Sequence, residues 1–245
     1  MGPLAGQVAI VTGSSRGIGR AVAERLGREG ASVVVNYVRN ADKARDVVSA
    51  IESAGVRALA IQADMSHIAD VRRLFRETLE HFGRLDILVN NAGLFEPHSI
   101  AEVTEDEFDA GFALNAKGVF FAFQEAARRM RDGGRIIYIS SCSTAMSLPG
   151  FAVYVGSKAA GEQFARALAK ELGGRGITVN TVSPGFTETD MLPQDPEWRK
   201  TGAQMSAFGR LGQPEDIANV VAFLVGEQGK WITGQNVQAS GGVVM

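Results

Sequence analysis

The 245-residue chain holds one cysteine, Cys142, so no intramolecular disulfide can form and a cysteine-rich zinc site is excluded. Histidine is nearly as scarce: His67, His81 and His98 are scattered and make no metal-ligand spacing. An excess of one charge is also missing. With 25 basic and 27 acidic residues the formal net charge is −2, both signs are interspersed, and neither a nucleic-acid-binding stripe nor a polybasic membrane patch is expected. No run approaches the roughly 18 uncharged apolar residues of a membrane helix. The opening Met1-Gly2-Pro3-Leu4-Ala5-Gly6-Gln7 lacks a basic stretch followed by an apolar core, so no signal peptide is expected and the cytoplasm is the expected location.

What is present is ordinary for a globular chain, 45% hydrophobic and 21% charged, and long enough to bury a large core without staples. Short β-branched runs alternate with amphipathic stretches from end to end. The strands expected are 8–12, 32–36, 58–63, 87–90, 135–140, 178–182 and a short one near Val237; apolar residues on consecutive positions suit strands covered on both faces. Helical periodicity lies between them at 18–29, 41–54, 69–82, a long stretch 108–130, 153–172 and 214–225. Gly30, Gly55, Gly83 and Gly133 read as helix stops. This alternation implies an α/β, Rossmann-type doubly wound parallel sheet of seven strands with helices on both faces, in one domain spanning 1–245. Only 186–212 breaks the rhythm, with its prolines, charges and large apolar residues. It reads as an inserted loop with short helices, a lid over a site.

The first strand runs into Thr12-Gly13-Ser14-Ser15-Arg16-Gly17-Ile18-Gly19, which opens a helix. Glycines let the backbone turn tightly and approach a diphosphate, while the helix start offers free N–H groups and a positive dipole end. The alternative is a glycine-rich turn without a ligand, since this spacing departs from the commoner G-x-G-x-x-G. The end of the second strand discriminates between dinucleotides, because an acid there would bind the adenosine ribose and repel a 2′-phosphate. The chain has Asn36-Tyr37-Val38-Arg39 instead, with no carboxylate before Asp42. Arg16 and Arg39 both suit a phosphate, so NADP(H) is favoured over NAD(H); the alternative for Arg39 is a solvated residue at a helix start.

Tyr154 and Lys158 stand four apart in a helical stretch and share one face. A free phenol ionises near pH 10, too high for a base at neutrality. A neighbouring ammonium and the positive ring of an oxidised nicotinamide would favour the phenolate, and the tyrosine would then serve as acid in reduction and base in oxidation. Ser141, at the carboxyl end of the 135–140 strand, is placed to polarise a carbonyl. Alone, a Tyr-x-x-x-Lys pair is equally a surface helix contact.

Six patterns in order remove that ambiguity: Thr12-Gly13-(x3)-Gly17-Ile18-Gly19, Asp64, Asn90-Asn91-Ala92-Gly93, Asn115, Ser141 with Tyr154-x-x-x-Lys158, and Ser183-Pro184-Gly185. In these the chain resembles, over essentially its whole length, the short-chain dehydrogenase/reductase family. The resemblance implies Asp64 and Met65 beside the adenine, and Asn91, Ala92 and Gly93 along the cofactor. It implies that Asn115 perturbs its helix and holds a water linking Lys158 to solvent. Lys158 would also hold the nicotinamide ribose, with Pro184, Gly185, Thr187 and Thr189 at the nicotinamide end.

Within the family, Ser14 to Arg20, Arg175 to Asn180 and Pro184 to Met191 look most like 3-oxoacyl-acyl-carrier-protein reductases. Such enzymes dock an acidic carrier on a basic pair. Arg175 matches one member, but Asp132 stands at the other, with Arg128, Arg129 and Arg131 close by, which puts carrier docking in doubt. Around the site, Phe95, Met146, Leu148, Phe151, Phe186, Met191, Leu192, Trp198, Met205 and Phe208 suggest a hydrophobic ketone or acyl-thioester substrate. Cys142 reads as a small buried filler rather than a nucleophile. The favoured activity is NADPH-dependent reduction of a ketone to a secondary alcohol. The rivals are an NAD(P)-dependent alcohol dehydrogenase working in the oxidising direction and a non-catalytic NADP-sensing module. The resemblance further implies a homotetramer, built on the 108–130 and 153–172 helices and the last strand.

Overall fold

The computed structural model describes residues 2–146 and 148–245. Its sheet has seven parallel strands in the order β3-β2-β1-β4-β5-β6-β7. These are β1 (Val8–Val11), β2 (Ser32–Tyr37), β3 (Ala58–Gln62), β4 (Ile87–Asn90), β5 (Arg135–Ile139), β6 (Thr178–Pro184) and β7 (Asn236–Ala239). Each agrees with its sequence expectation to within two residues at either end. The consecutive apolar run Val33-Val34-Val35 is wholly inaccessible because its side chains point alternately into two different cores.

One core lies under α1 (Gly17–Arg28), α2 (Ala41–Glu52) and α8 (Pro214–Val225), and the other under α3 (Ile68–Phe82), α5 (Val119–Arg129) and α6 (Ala152–Leu172). Val33 and Val35 enter the first and Val34 the second; each fully buried valine contributes about 1.5–3 kcal/mol relative to exposure. Gly83 ends α3 in the left-handed conformation at φ 74°, which a glycine adopts without steric cost.

The long helix expected over 108–130 is not continuous. A capping box between Thr104 and Glu107 starts α4 three residues earlier (Glu105–Phe112), and Ala113–Gly118 then form a π-helical turn before α5. Two contacts account for the wider turn. Asn115 is buried and turns its amide onto the chain after β4, and Gly118 lies so close to the Met65 carbonyl oxygen that any side chain there would overlap it.

The 186–212 segment leaves and returns at one point. Gly212 N–H donates to the Phe186 carbonyl at 2.8 Å, and Glu188 N–H donates to the Gly212 carbonyl at 2.9 Å. Between these ends lies a single helix, α7 (Pro196–Met205), started by Asp195, whose carboxylate accepts the Trp198 N–H, and by Pro196 in its first turn. Strand order reverses between β1 and β4, so the carboxyl ends of β1, β4, β5 and β6 open a crevice at the switch point.

Candidate active site

A cavity of about 800 Å³ occupies that crevice. Every residue expected on the cofactor lines it except Ser14, as do Ser141, Tyr154 and Lys158. Ser14 corrects the expectation: it is fully buried behind the loop, donating its hydroxyl to the Val11 carbonyl at 2.7 Å and accepting the Asn36 N–H at 3.1 Å. Asn36 reaches the wall, but its side chain is spent on architecture. Its Oδ1 accepts the Gly13 N–H at 2.9 Å and its Nδ2 donates to the Ala63 carbonyl at 2.9 Å. An asparagine therefore ties the glycine loop to the sheet where an acid would have faced the ribose.

The glycine loop fits a diphosphate. Gly13 and Gly17 take φ of 62° and 56°, and helix α1 starts at Gly17 with no side-chain cap and no acid in its first turn. A side chain on Gly17 would press against the Thr189 methyl at 3.3 Å, so the glycine keeps open the gap between the loop and the 186–212 segment. Thr12 fastens the floor, its hydroxyl accepting both the Asn91 and Ala92 N–H groups at 2.9 Å. At the outer rim Arg16 and Arg39 are joined by Lys43, which composition and motif had not singled out. Its only signal is its position, four after Arg39 at the start of α2. Asp190 of the 186–212 segment reaches across to Arg16 at 3.3 Å and to Lys43 at 3.6 Å. Burial raises the Asp64 carboxyl, but hydrogen bonds from the Ser66 hydroxyl and N–H outweigh it and bring the group below its ordinary value.

At the other end, α6 carries Tyr154 and Lys158 beneath the end of β5. The Lys158 ammonium is buried, donates to the Ile139 carbonyl at 2.8 Å and lies 5.9 Å from the Tyr154 ring centre. Burial lowers it to about 8, opposed by the charge of Glu162. Burial likewise pushes the Tyr154 phenol up to about 12, against the pull of the Ser141 hydroxyl. Loss of hydration at this depth outweighs the protein's own hydrogen bond to the phenol, and the expected pull toward phenolate rests on the ammonium together with the positive ring of an oxidised nicotinamide. Cys142 is the inert filler expected, its thiol buried and pushed up to about 11.

Asn115 stays off the main cavity. Its Oδ1 accepts the Leu94 N–H at 2.9 Å, and its Nδ2 donates to the Leu94 carbonyl at 2.8 Å and to the Ser157 hydroxyl at 3.1 Å. It does line, with Tyr154, Glu107 and His98, an adjoining space of about 20 Å³, room for one water; Lys158 is not on that wall. Of the apolar residues expected around the substrate, Phe95, Leu148, Phe151, Phe186, Met191, Leu192 and Trp198 line the main cavity. Met146, Met205 and Phe208 do not, and Phe208 faces solvent. Arg175, expected as one of a docking pair, instead bonds Asp132 at 2.7 Å and the Ala127 and Met130 carbonyls, closing the C-terminal end of α5.

One end of the cavity is shaped for a diphosphate and the other for passing a proton to an oxygen, the division of labour of a nicotinamide-dependent oxidoreductase. Comparison with known proteins agrees. Residues 13–244 match the family model described as Enoyl-(Acyl carrier protein) reductase. The short chain dehydrogenase/reductase nsrJ of Aspergillus novofumigatus is 46% identical, over 98% of this chain and 97% of its own. The tetrahydroxynaphthalene reductase PfmaG of Pestalotiopsis fici is 42% identical, over 99% and 93%. The crystal structure of the angucycline C-6 ketoreductase LanV with bound NADP superposes with a TM-score of 0.95 at 47% identity, covering 99% of this chain and 97% of that one. The chain belongs to the short-chain dehydrogenase/reductase family.

Proposed function

We propose that the protein reduces a ketone borne on a flat, fused-ring aromatic compound to a secondary alcohol, with NADPH as reductant. The observation that carries the substrate class is an aromatic box around the phenol. Phe95 meets the Tyr154 ring edge-on at 4.9 Å, Phe151 and Trp198 lie parallel at 6.1 Å with 3° between their planes, and Phe186 closes against Trp198 at 5.7 Å. Such walls stack a planar ring system and keep water out. The relatives named for tetrahydroxynaphthalene and for an angucycline ketone point the same way.

NADPH, when bound, supplies the hydride for the carbonyl carbon. Backbone N–H groups at the start of α1 would hold its diphosphate, and Arg16, Arg39 and Lys43 at the rim suit a 2′-phosphate. Tyr154 donates its proton to the carbonyl oxygen, and the Ser141 hydroxyl hydrogen-bonds that oxygen as charge develops on it. Lys158 faces the phenolate left behind and steadies it until a proton returns. With its phenol pushed up to about 12, Tyr154 carries its proton through the neutral range, the form that reduction requires. A regulatory sensor has no use for this proton-transfer pair.

Asn115 acts here through the π-turn and the chain after β4, and the adjoining water-sized space gives the phenol a route for reprotonation. The 186–212 segment serves as lid, carrying Trp198 and Phe186 to the box. An acyl-thioester delivered by an acidic carrier is the weaker reading, because Arg175 is engaged within its own chain. The exposed rings of Phe108 and Phe120, on α4 and α5, support assembly into the expected homotetramer, and the cytoplasm remains the proposed setting. The test is a turnover panel with NADPH and NADH. Fused hydroxylated aromatic ketones are expected to give kcat/KM well above acyl-thioesters and simple alkyl ketones; preference for the thioester overturns the substrate class.

A further inference from the structure

Helix α6 presents a third ionisable side chain beyond the pair already described. Glu162 follows Lys158 by one turn, so Tyr154, Lys158 and Glu162 recur at intervals of four along one side of the helix. It is 7% exposed and does not reach the cavity, and no step of the reduction uses it. A carboxylate at that depth keeps its charge only where partners compensate it. Its Oε1 accepts hydrogen bonds from Ser140 Oγ at 2.6 Å and Thr144 Oγ1 at 2.7 Å. These hydroxyls flank Ser141. Ser140 precedes it at the end of β5; Thr144 sits in the short turn after it, with its hydroxyl 2.9 Å from the Ser141 carbonyl oxygen.

We propose that Glu162 is a positioning residue for the reduction: one carboxylate oxygen fastens the turn bearing Ser141 to the helix bearing Tyr154 and Lys158, and its negative charge is the built-in counter-charge of the buried Lys158 ammonium. The inference rests on the reading of Tyr154 and Lys158 as the proton-transfer pair, though not on the aromatic substrate class.

The other groups facing Lys158 leave this role to Glu162. On β5 the Tyr138 ring lies 5.3 Å from Nζ, and burial holds its phenol well above the ordinary value. On α6 the Tyr154 ring lies 5.9 Å from Nζ, and its phenol is pushed up to about 12. The chain after β4 and the π-turn contribute Gly93 and Asn115, which carry no charge. Among the described residues, Glu162 is therefore the carboxyl group that acts on Lys158. Burial lowers Lys158 and Glu162 raises it, so removing the charge lets the ammonium lose its proton at lower pH.

Glu162→Gln separates the two contributions, because the amide oxygen still accepts both hydroxyls while the charge is gone. With any ketone the wild type turns over, the high-pH limb of kcat/KM is expected to move down by about one pH unit in E162Q, with NADPH binding and thermal midpoint retained. NMR of isotope-labelled lysine should show Lys158 titrating lower in the same variant. Glu162→Met removes charge and clamp together, and is expected to lower kcat about tenfold even on the low-pH plateau. Should E162M fail to fold, E162Q decides alone. A wild-type pH profile and an unmoved Lys158 titration in E162Q overturn the proposal. A Lys158 titration that moves while wild-type turnover stays flat across the same range counts instead against the proton-transfer reading.

Discussion

The two ends of the cavity are built by opposite means. At the phosphate end the work falls to backbone N–H groups, glycines at positive φ and solvent-exposed cations, with Arg16 and Asp190 both more than half exposed in their mutual contact. At the catalytic end it falls to side chains buried beneath β5 and α6, where the lysine and the phenol leave their ordinary ranges in opposite directions. Exposed charges are screened and each is worth little, so binding there is shared among several groups. Buried charges are few, unscreened and individually decisive.

That contrast sets the order of expected effects. The largest belongs to the buried end: Tyr154→Phe removes the proton donor and should lower kcat by about 10²–10⁴-fold, with NADPH affinity by fluorescence nearly unchanged. Retained turnover would erase the distinction between the ends. Next is the pH profile of ketone reduction. Lys158 loses its charge as pH rises through about 8 while the phenol stays protonated to about 12. The rate should therefore be flat below about 8 and fall by up to about tenfold per pH unit above it. A limb rising with pH would assign the controlling group wrongly.

Smaller effects belong to the exposed end and to the walls. Arg39→Ala combined with Lys43→Ala should raise KM for NADPH about tenfold, leave KM for NADH alone and lose its effect in high salt. An equal penalty on both cofactors would mean that these cations do not read a 2′-phosphate. Trp198→Ala, which opens the box, should raise KM for a fused-ring ketone by roughly several-fold and leave small alkyl ketones unaffected. Equal effects on both ketones would sink the stacking role.

How far these features were legible in sequence also divides by end. The glycine loop could be read because glycine spacing and a strand-to-helix junction are local properties of the backbone. Tyr154, Lys158 and Ser141 were legible as a motif, since a separation of four on a helix is fixed by its pitch. Hidden were the engagements of individual side chains across the fold. Ser14 turns inward to Val11, Asn36 spends its amide on the loop, and Arg175 closes α5. The break at Ala113–Gly118 does not show in the apolar periodicity of 108–130; only the family resemblance, through Asn115, implied a perturbed helix, because its causes are contacts with the chain after β4 and with Met65, on other strand–helix connections.

By itself, then, the sequence determined the alternation of strands and helices, the glycine turn and the spacing of the proposed proton-transfer pair, since all three depend on neighbours a few residues apart along the chain. The ionisation of that pair was decided only by the tertiary structure. Sheet, π-turn and helix together remove water from around Lys158 and Tyr154 and bring Glu162 and Ser141 to bear on them, and hydration at a point in space is a property of every element that surrounds it.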